Sequence, residues 1–232
     1  IAAKFLAQHT GNPTFAKETI YAYISDGGIQ EEISQGGARI ASTLGLDNLI
    51  MFYDSNDIQL STETKEVMNE DTAAKYRALG WEVIEICGND VDQIRQALDA
   101  AKKVEGKPTL IIGKCIMGKG ALKADGTSYE ANCKTHGAPL GGDAYVNTIK
   151  HLGGDPENPF VIFDDVKEMY ASRAKELEAI CAERYAEEKA WADANPEKAA
   201  ALADWFSGKA PVIDWSKVQQ KLCSCIPRWC CT

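Results

Sequence analysis

Four short apolar runs, at 19–24, 49–53, 82–86 and 109–113, alternate with segments patterned for helix, and this alternation limits the possible folds most severely. Strands joined by tight turns pair antiparallel, whereas strands separated by helices return by crossovers and lie parallel. The expected fold class is therefore α/β: a mostly parallel sheet with helices on both faces, followed by a helical extension. Ile33, Gly36, Gly37, Ile40, Ala41 and Leu44 recur at helical spacing, with glycines that would let this helix lie close to the sheet. A second helix is expected over 71–79, with Asp71 suited to its first turn. A third carries Val91, Ile94, Leu98 and Ala101 on one face and is entered through Asn89 or Asp90.

Beyond the fourth strand the pattern breaks into a glycine-rich loop over 117–142, too long for a mere connector and of a kind that is commonly functional. A short helix over 143–152 and a long one over 165–195 follow. The long helix has an expected apolar side of Val166, Met169, Leu177, Ile180 and Trp191, and acidic faces left to solvent. Pro196 opens one more helix, running through Trp205 and Phe206. The organisation reads as an α/β domain over 1–152, its helical extension over 153–207, a linker over 208–221 and a separate tail over 222–232.

Charge narrows the partners. With 25 Lys and Arg against 34 Asp and Glu the net charge is −9, which disfavours nucleic acid and anionic membranes. No apolar stretch approaches the roughly 20 residues needed to span a bilayer, and no leader pattern opens the chain, so the cytoplasm is the expected location. The opening residues, Ile1 to Ala7, look like the middle of a helix and hence of a longer protein. Cys87, Cys115, Cys133 and Cys181 are dispersed like reduced cytosolic cysteines, while Cys223, Cys225, Cys230 and Cys231 crowd the tail without the paired spacing of a zinc site.

Parallel strands deliver their C-terminal ends to one edge of a sheet, where open α/β folds bind ligands. Asp26 and Gly27 end the first strand, and Asn56 follows the second. A carboxylate and an amide oxygen meeting there make a hard-oxygen site suited to Mg²⁺ holding a phosphorylated ligand. Gly27 leaves the backbone open to a diphosphate. Such residues also serve simply as turn and cap residues, so this spacing alone leaves both readings open.

Longer motifs carry a family resemblance. Ser25-Asp26-Gly27-Gly28-Ile29-Gln30-Glu31-Glu32-Ile33-Ser34 resembles the Gly-Asp-Gly segment of thiamine-diphosphate enzymes, and Tyr53-Asp54-Ser55-Asn56-Asp57-Ile58 its partner Asn segment. The stretch from Glu70 through Trp81 to Asp90 is similar to transketolases. Thr135-His136-Gly137-Ala138-Pro139-Leu140-Gly141 resembles that family's His-Gly-Ala-Pro-Leu-Gly loop. The likeness runs from about Ile1 to Lys221 and stops before the Cys-rich tail, for which a shifted reading frame or a chance terminus is the expectation.

The resemblance implies thiamine diphosphate as cofactor, with Mg²⁺ or Ca²⁺ held by Asp26, the Asn56 side chain and the Ile58 carbonyl. Gly27 would lie against the diphosphate, and His136 would reach both the cofactor and a bound sugar phosphate in a catalytic role. Glu31 would sit at the interface of a homodimer. The implied reaction moves a two-carbon ketol unit from a ketose phosphate to an aldose phosphate in the pentose phosphate pathway. Two positions depart from the pattern: Ser25 replaces a glycine, and Asp57 replaces a common glycine and adds negative charge beside the metal. The family's other site histidines lie upstream, and among three histidines His9 and His151 are assigned to the surface. The pyrimidine-binding domain with its activating glutamate is also missing. A truncated transketolase inactive by itself is the leading expectation. The alternatives are a non-catalytic remnant and the N-terminal subunit of a split transketolase or dihydroxyacetone-synthase-like enzyme.

Overall fold

A computed structural model of the protein describes residues 1–60, 62–210 and 212–218. The four apolar runs form β1 (Ile20–Ser25), β2 (Leu49–Ser55), β3 (Glu82–Cys87) and β4 (Thr109–Lys114) of one parallel sheet, ordered β1-β2-β4-β3. Side chains alternate between the faces. Met51, Tyr53, Val83 and Leu110 turn toward one core with Ala38, Ala41, Tyr76 and Trp81. Ile50, Phe52, Ile84 and Ile111 turn toward the other, closed by Ala97 and Ala101. β4, with neighbours on both sides, is the most buried strand.

The helices follow in chain order: α1 (Ala2–Thr10), α2 (Pro13–Ala16), α3 (Asp26–Gln30), α4 (Glu32–Thr43), α5 (Thr72–Ala78), α6 (Val91–Ala101), α7 (Gly142–His151), α8 (Asp164–Ala194) and α9 (Pro196–Phe206). α4 and α5 cover one face of the sheet and α6 the other, as expected for this class. Local chemistry sets their starts: the Asp71 carboxylate accepts from Ala74 N at 2.9 Å, and Asp90 accepts from Asp92 N and Gln93 N at 3.0 and 3.1 Å. Each such cap contributes about 1 kcal/mol.

Two sequence expectations change. α4 buries Gln35, Ala38 and Ala41, while Ile33, Ile40 and Leu44 are 83%, 54% and 52% exposed. A Cβ added at Gly36 or Gly37 would meet no neighbouring atom, so those glycines do not bring the helix close to the sheet. Alanine's small side chain lets the Ala38 and Ala41 flank approach instead, and the larger apolar stripe points outward. In α8 only Trp191 of the expected apolar side is buried; Met169, Leu177 and Ile180 are exposed. A 31-residue helix extends past the small α2 surface it packs against, where Lys17 Nζ meets Glu187 at 2.5 Å.

Among the described residues β1 pairs only with β2, and Tyr21 and Tyr23, in register with Ile50 and Phe52, are exposed. His151 is exposed as expected; His9 is exposed too, but stacks on Phe5 and Trp205 at centroid distances of 5.4 and 5.2 Å. The expected linker is described only in part, and Cys223, Cys225, Cys230 and Cys231 lie outside the described residues. No described helix is long and apolar enough to cross a membrane.

Leu110→Ala, which empties a fully buried position in β4, is expected to cost about 2–5 kcal/mol in denaturant unfolding. Ile33→Ala is expected to stay within about 0.5 kcal/mol, since Ile33 is largely exposed.

Candidate functional site

β1 and β2 end side by side, Ile24 opposite Tyr53 and Ser25 opposite Asp54, so the residues just beyond them share one edge of the sheet. Asp26 is 1% exposed. Its Oδ1 accepts from the Tyr53 hydroxyl at 2.7 Å and its Oδ2 from the Asn56 backbone N–H at 2.9 Å. Burying a carboxylate is costly unless donors replace its water, and each such bond contributes about 1.5–3 kcal/mol. Burial and the adjacent Asp26 charge push the Tyr53 hydroxyl well above its usual range, so it stays protonated and donates.

The chain beyond β2 is folded as tightly. Asn56 Oδ1 accepts from Ile58 N at 3.0 Å, and Asp57 takes a left-handed φ of 65° that Asp and Asn tolerate better than most residues. An isolated antiparallel bridge pairs Ile58 with Glu63 through Thr64 N to Asp57 O at 2.8 Å and Gln59 N to Thr62 O at 3.0 Å. Among the described residues no hydrogen bond ends on the Ile58 carbonyl. The expected surplus charge of Asp57 is met by an ion pair with Lys114, at the end of β4.

Asp26, Asn56 and Ile58 are thus brought together. Gly27 is exposed beside them, has no left-handed φ, and a Cβ there would touch nothing. No contact within the chain requires glycine at that position. Glu31 is exposed and extended (φ −66°, ψ 134°), separating α3 from α4.

Three clefts open at this edge. One, of 760 Å³, is lined by Asn56, Asp57, Ile58, Asn89, Lys114 and Lys119; the second, of 460 Å³, by Tyr23, Phe52, Asp54, Asn56, Cys115 and Gly118. Asp26 lines neither of these but a third, of 320 Å³, with Tyr53, Asp57, Thr64 and Lys65. His136 is in the described wall of none of them. It follows the short 3-10 helix Cys133–Thr135, whose Thr135 lies over Gly118 in the second cleft: a Cβ at Gly118 would come 3.1 Å from Thr135 Oγ1. His136 Nδ1 is buried without a hydrogen-bond partner. The long loop is ordered by bonds such as Gly120 N to Glu130 Oε1 at 2.7 Å and Leu122 N to Thr148 Oγ1 at 2.9 Å.

The residues present fit a metal-bound diphosphate. Among the described residues each Asp26 oxygen keeps an unused lone pair, no hydrogen bond ends on the Ile58 carbonyl, Gly27 leaves room and His136 Nδ1 lacks a partner. Among the described residues no three His, Cys, Asp or Glu side chains group to hold a metal.

Sequence reading missed Tyr53, Tyr23, Asp54, Lys114 and Cys115. Tyr53 was detectable in principle as the last inward-facing residue of β2, one step from the Asp26 strand. Tyr23 donates to Asp54 Oδ2 at 2.6 Å and stacks on Phe52. Burial, with the neighbouring Asp54 carboxylate, pushes the Cys115 thiol up to about 12.

An open parallel sheet that gathers a buried carboxylate, an amide and an unobstructed glycine at its strand tips defines an α/β domain that binds its ligand at the C-terminal edge. The family model described as "Transketolase, thiamine diphosphate binding domain" matches residues 1–211, and the chain belongs to this family. It is 36% identical to a transketolase of Staphylococcus epidermidis over 218 residues, covering 91% of this chain and 32% of that protein. It is 38% identical to the Mycobacterium leprae transketolase over 197 residues, covering 83% and 27%. Transketolase structures from Leishmania mexicana and Campylobacter jejuni superpose with TM-scores of 0.80 and 0.74 at 30% and 32% identity. Each comparison covers 90% of this chain and 31% of the other. The chain therefore spans about a third of the relatives' length.

Tyr53→Phe removes a buried donor from Asp26 and is expected to cost about 1–3 kcal/mol, read as a lower unfolding midpoint. Because the raised Cys115 thiol forms thiolate only as pH climbs toward about 12, iodoacetamide at about pH 8 should label exposed Cys87 and Cys181 well before Cys115, as mass spectrometry would show.

Proposed function

We propose that this chain is the metal- and diphosphate-binding part of a transketolase, the enzyme that transfers a two-carbon ketol unit from a ketose phosphate to an aldose phosphate. The contact between the Asp26 carboxylate and Asn56 carries the reading, because it joins the tips of two strands around unused oxygen lone pairs. Asp26, the Asn56 side-chain oxygen and the Ile58 carbonyl hold Mg²⁺, or Ca²⁺ in its place. Asn56 Oδ1 already accepts from Ile58 N and uses its second lone pair for the ion.

Gly27 lies against the diphosphate of thiamine diphosphate, and His136 uses its unpartnered Nδ1 toward the cofactor or the sugar phosphate. When bound, the cofactor supplies the electron sink for the two-carbon fragment. The chain's own part is to neutralise the diphosphate charge, fix its position and present the histidine. The activating glutamate and the pyrimidine-binding domain belong to the part of the relatives that this chain does not span.

A partner surface is consistent with that division of labour. Ile33, Ile40 and Leu44 form an exposed apolar stripe on α4, directly after Glu31. We assign this stripe and Glu31 to contact with a second copy. A stripe of this kind left uncovered favours association, so the chain alone is expected to self-associate and to lack ketol transfer.

Calorimetric titration tests the clamp. Thiamine diphosphate should bind only with Mg²⁺ present, and Asp26→Ala and Asn56→Ala should each weaken binding at least about tenfold, or about 1.4 kcal/mol. Binding indifferent to both substitutions removes the clamp. With xylulose 5-phosphate, ribose 5-phosphate, Mg²⁺ and cofactor, the chain alone should show no turnover. Activity regained on mixing with a C-terminal transketolase part would identify it as one subunit of a split enzyme, and no recovery would identify a remnant.

A further inference from the structure

Asp57 stands between Asn56 and Ile58, the two clamp residues contributed beyond β2, and its carboxylate is not needed for its backbone shape. A left-handed φ of 65° is met equally well by asparagine and better by glycine. Nor does its ion pair with Lys114 contribute much to stability. The two side chains are 65% and 57% exposed, and exposed pairs of this kind are nearly neutral.

The Lys114 backbone lies opposite Ser55 in the β2–β4 register, so the last residue of β4 reaches across the strand end to Asp57. Asn56, Asp57, Ile58 and Lys114 line the same 760 Å³ cleft. The other carboxylate in that wall, Glu63, is paired with Lys65 at 2.5 Å. Lys119 lines that wall too, but among the described residues Asp57 forms its ion pair with Lys114, so without Lys114 an unpaired carboxylate would sit beside Asn56 and Ile58. It would attract a free cation and repel a diphosphate.

We propose that Lys114 is a charge-setting residue for the clamp: by neutralising Asp57 it admits a metal-bound diphosphate to a mouth that would otherwise favour the bare cation. The proposal rests on the clamp reading above and adds to it a residue whose effect runs through Asp57.

The test is a double-mutant cycle on the full chain with two probes. Mn²⁺ alone is followed by electron paramagnetic resonance, and inorganic pyrophosphate with Mg²⁺ by calorimetry. Lys114→Met should tighten Mn²⁺ and weaken pyrophosphate, each by about three- to tenfold, and both changes should shrink as salt is added. In the Asp57→Asn background, which keeps the backbone shape and removes the charge, Lys114→Met should change neither by more than about twofold. A merely structural role would move both probes the same way, or equally in both backgrounds, and either result overturns the proposal. Unchanged binding in Lys114→Met, with binding lost in Asp26→Ala, overturns it while leaving the clamp intact. Pyrophosphate binding indifferent to Asp26→Ala, or absent from the unmodified chain, overturns the clamp and this inference with it.

Discussion

A carboxylate sealed at the end of one strand and tied to the end of the next organises this molecule. Asp26 satisfies its two oxygens from different sources, the Tyr53 side chain inside the sheet layer and the Asn56 backbone at the edge. Neither donor is near Asp26 in sequence, so the contact exists only when β1 and β2 are correctly paired. Breaking that register leaves a buried charge without partners, a penalty of several kcal/mol. The same bonds that lock the sheet also hold the functional oxygen in place, so fold and site stand or fall together.

The remaining elements support this junction. Leu110 and Ile111, buried on opposite faces of β4, give the sheet two cores, and β4 carries Lys114 to the mouth of the site. Beyond β2 the Ile58–Glu63 bridge fixes the Ile58 backbone, and among the described residues no hydrogen bond ends on its carbonyl. The glycine-rich loop folds back on the second cleft, where Thr135, the residue before His136, lies over Gly118.

Much of this was readable from residue order. All four strands lie within a residue or two of the apolar runs; for β4, buried on both faces, that continuous apolar signature is what a central parallel strand leaves. Asp71 and Asp90 cap their helices as their residue types suggested. The convergence of Asp26 and Asn56 followed from the rule for parallel strand tips. The orientation of α4 did not follow, because periodicity locates a stripe without saying what covers it, and small Ala38 and Ala41 outcompeted Ile33 and Ile40 for the sheet. In α8 Trp191 found a place to pack, but Met169, Leu177 and Ile180 stay exposed because the helix runs on past the surface it covers. Tyr53, Lys114 and Cys115 escaped notice because their importance lies in pairings across strands that are distant in sequence.

The position of β1 at the margin of the sheet has a consequence for handling the molecule. On its far side, among the described residues, a row of peptide groups faces water with no strand alongside, next to exposed Tyr21 and Tyr23. Such a row is a template for backbone pairing, and aromatic residues beside it add grip to whatever adheres. Dilution should keep the protein dispersed, while heating at high concentration should recruit strands from neighbouring molecules before the interior layers melt.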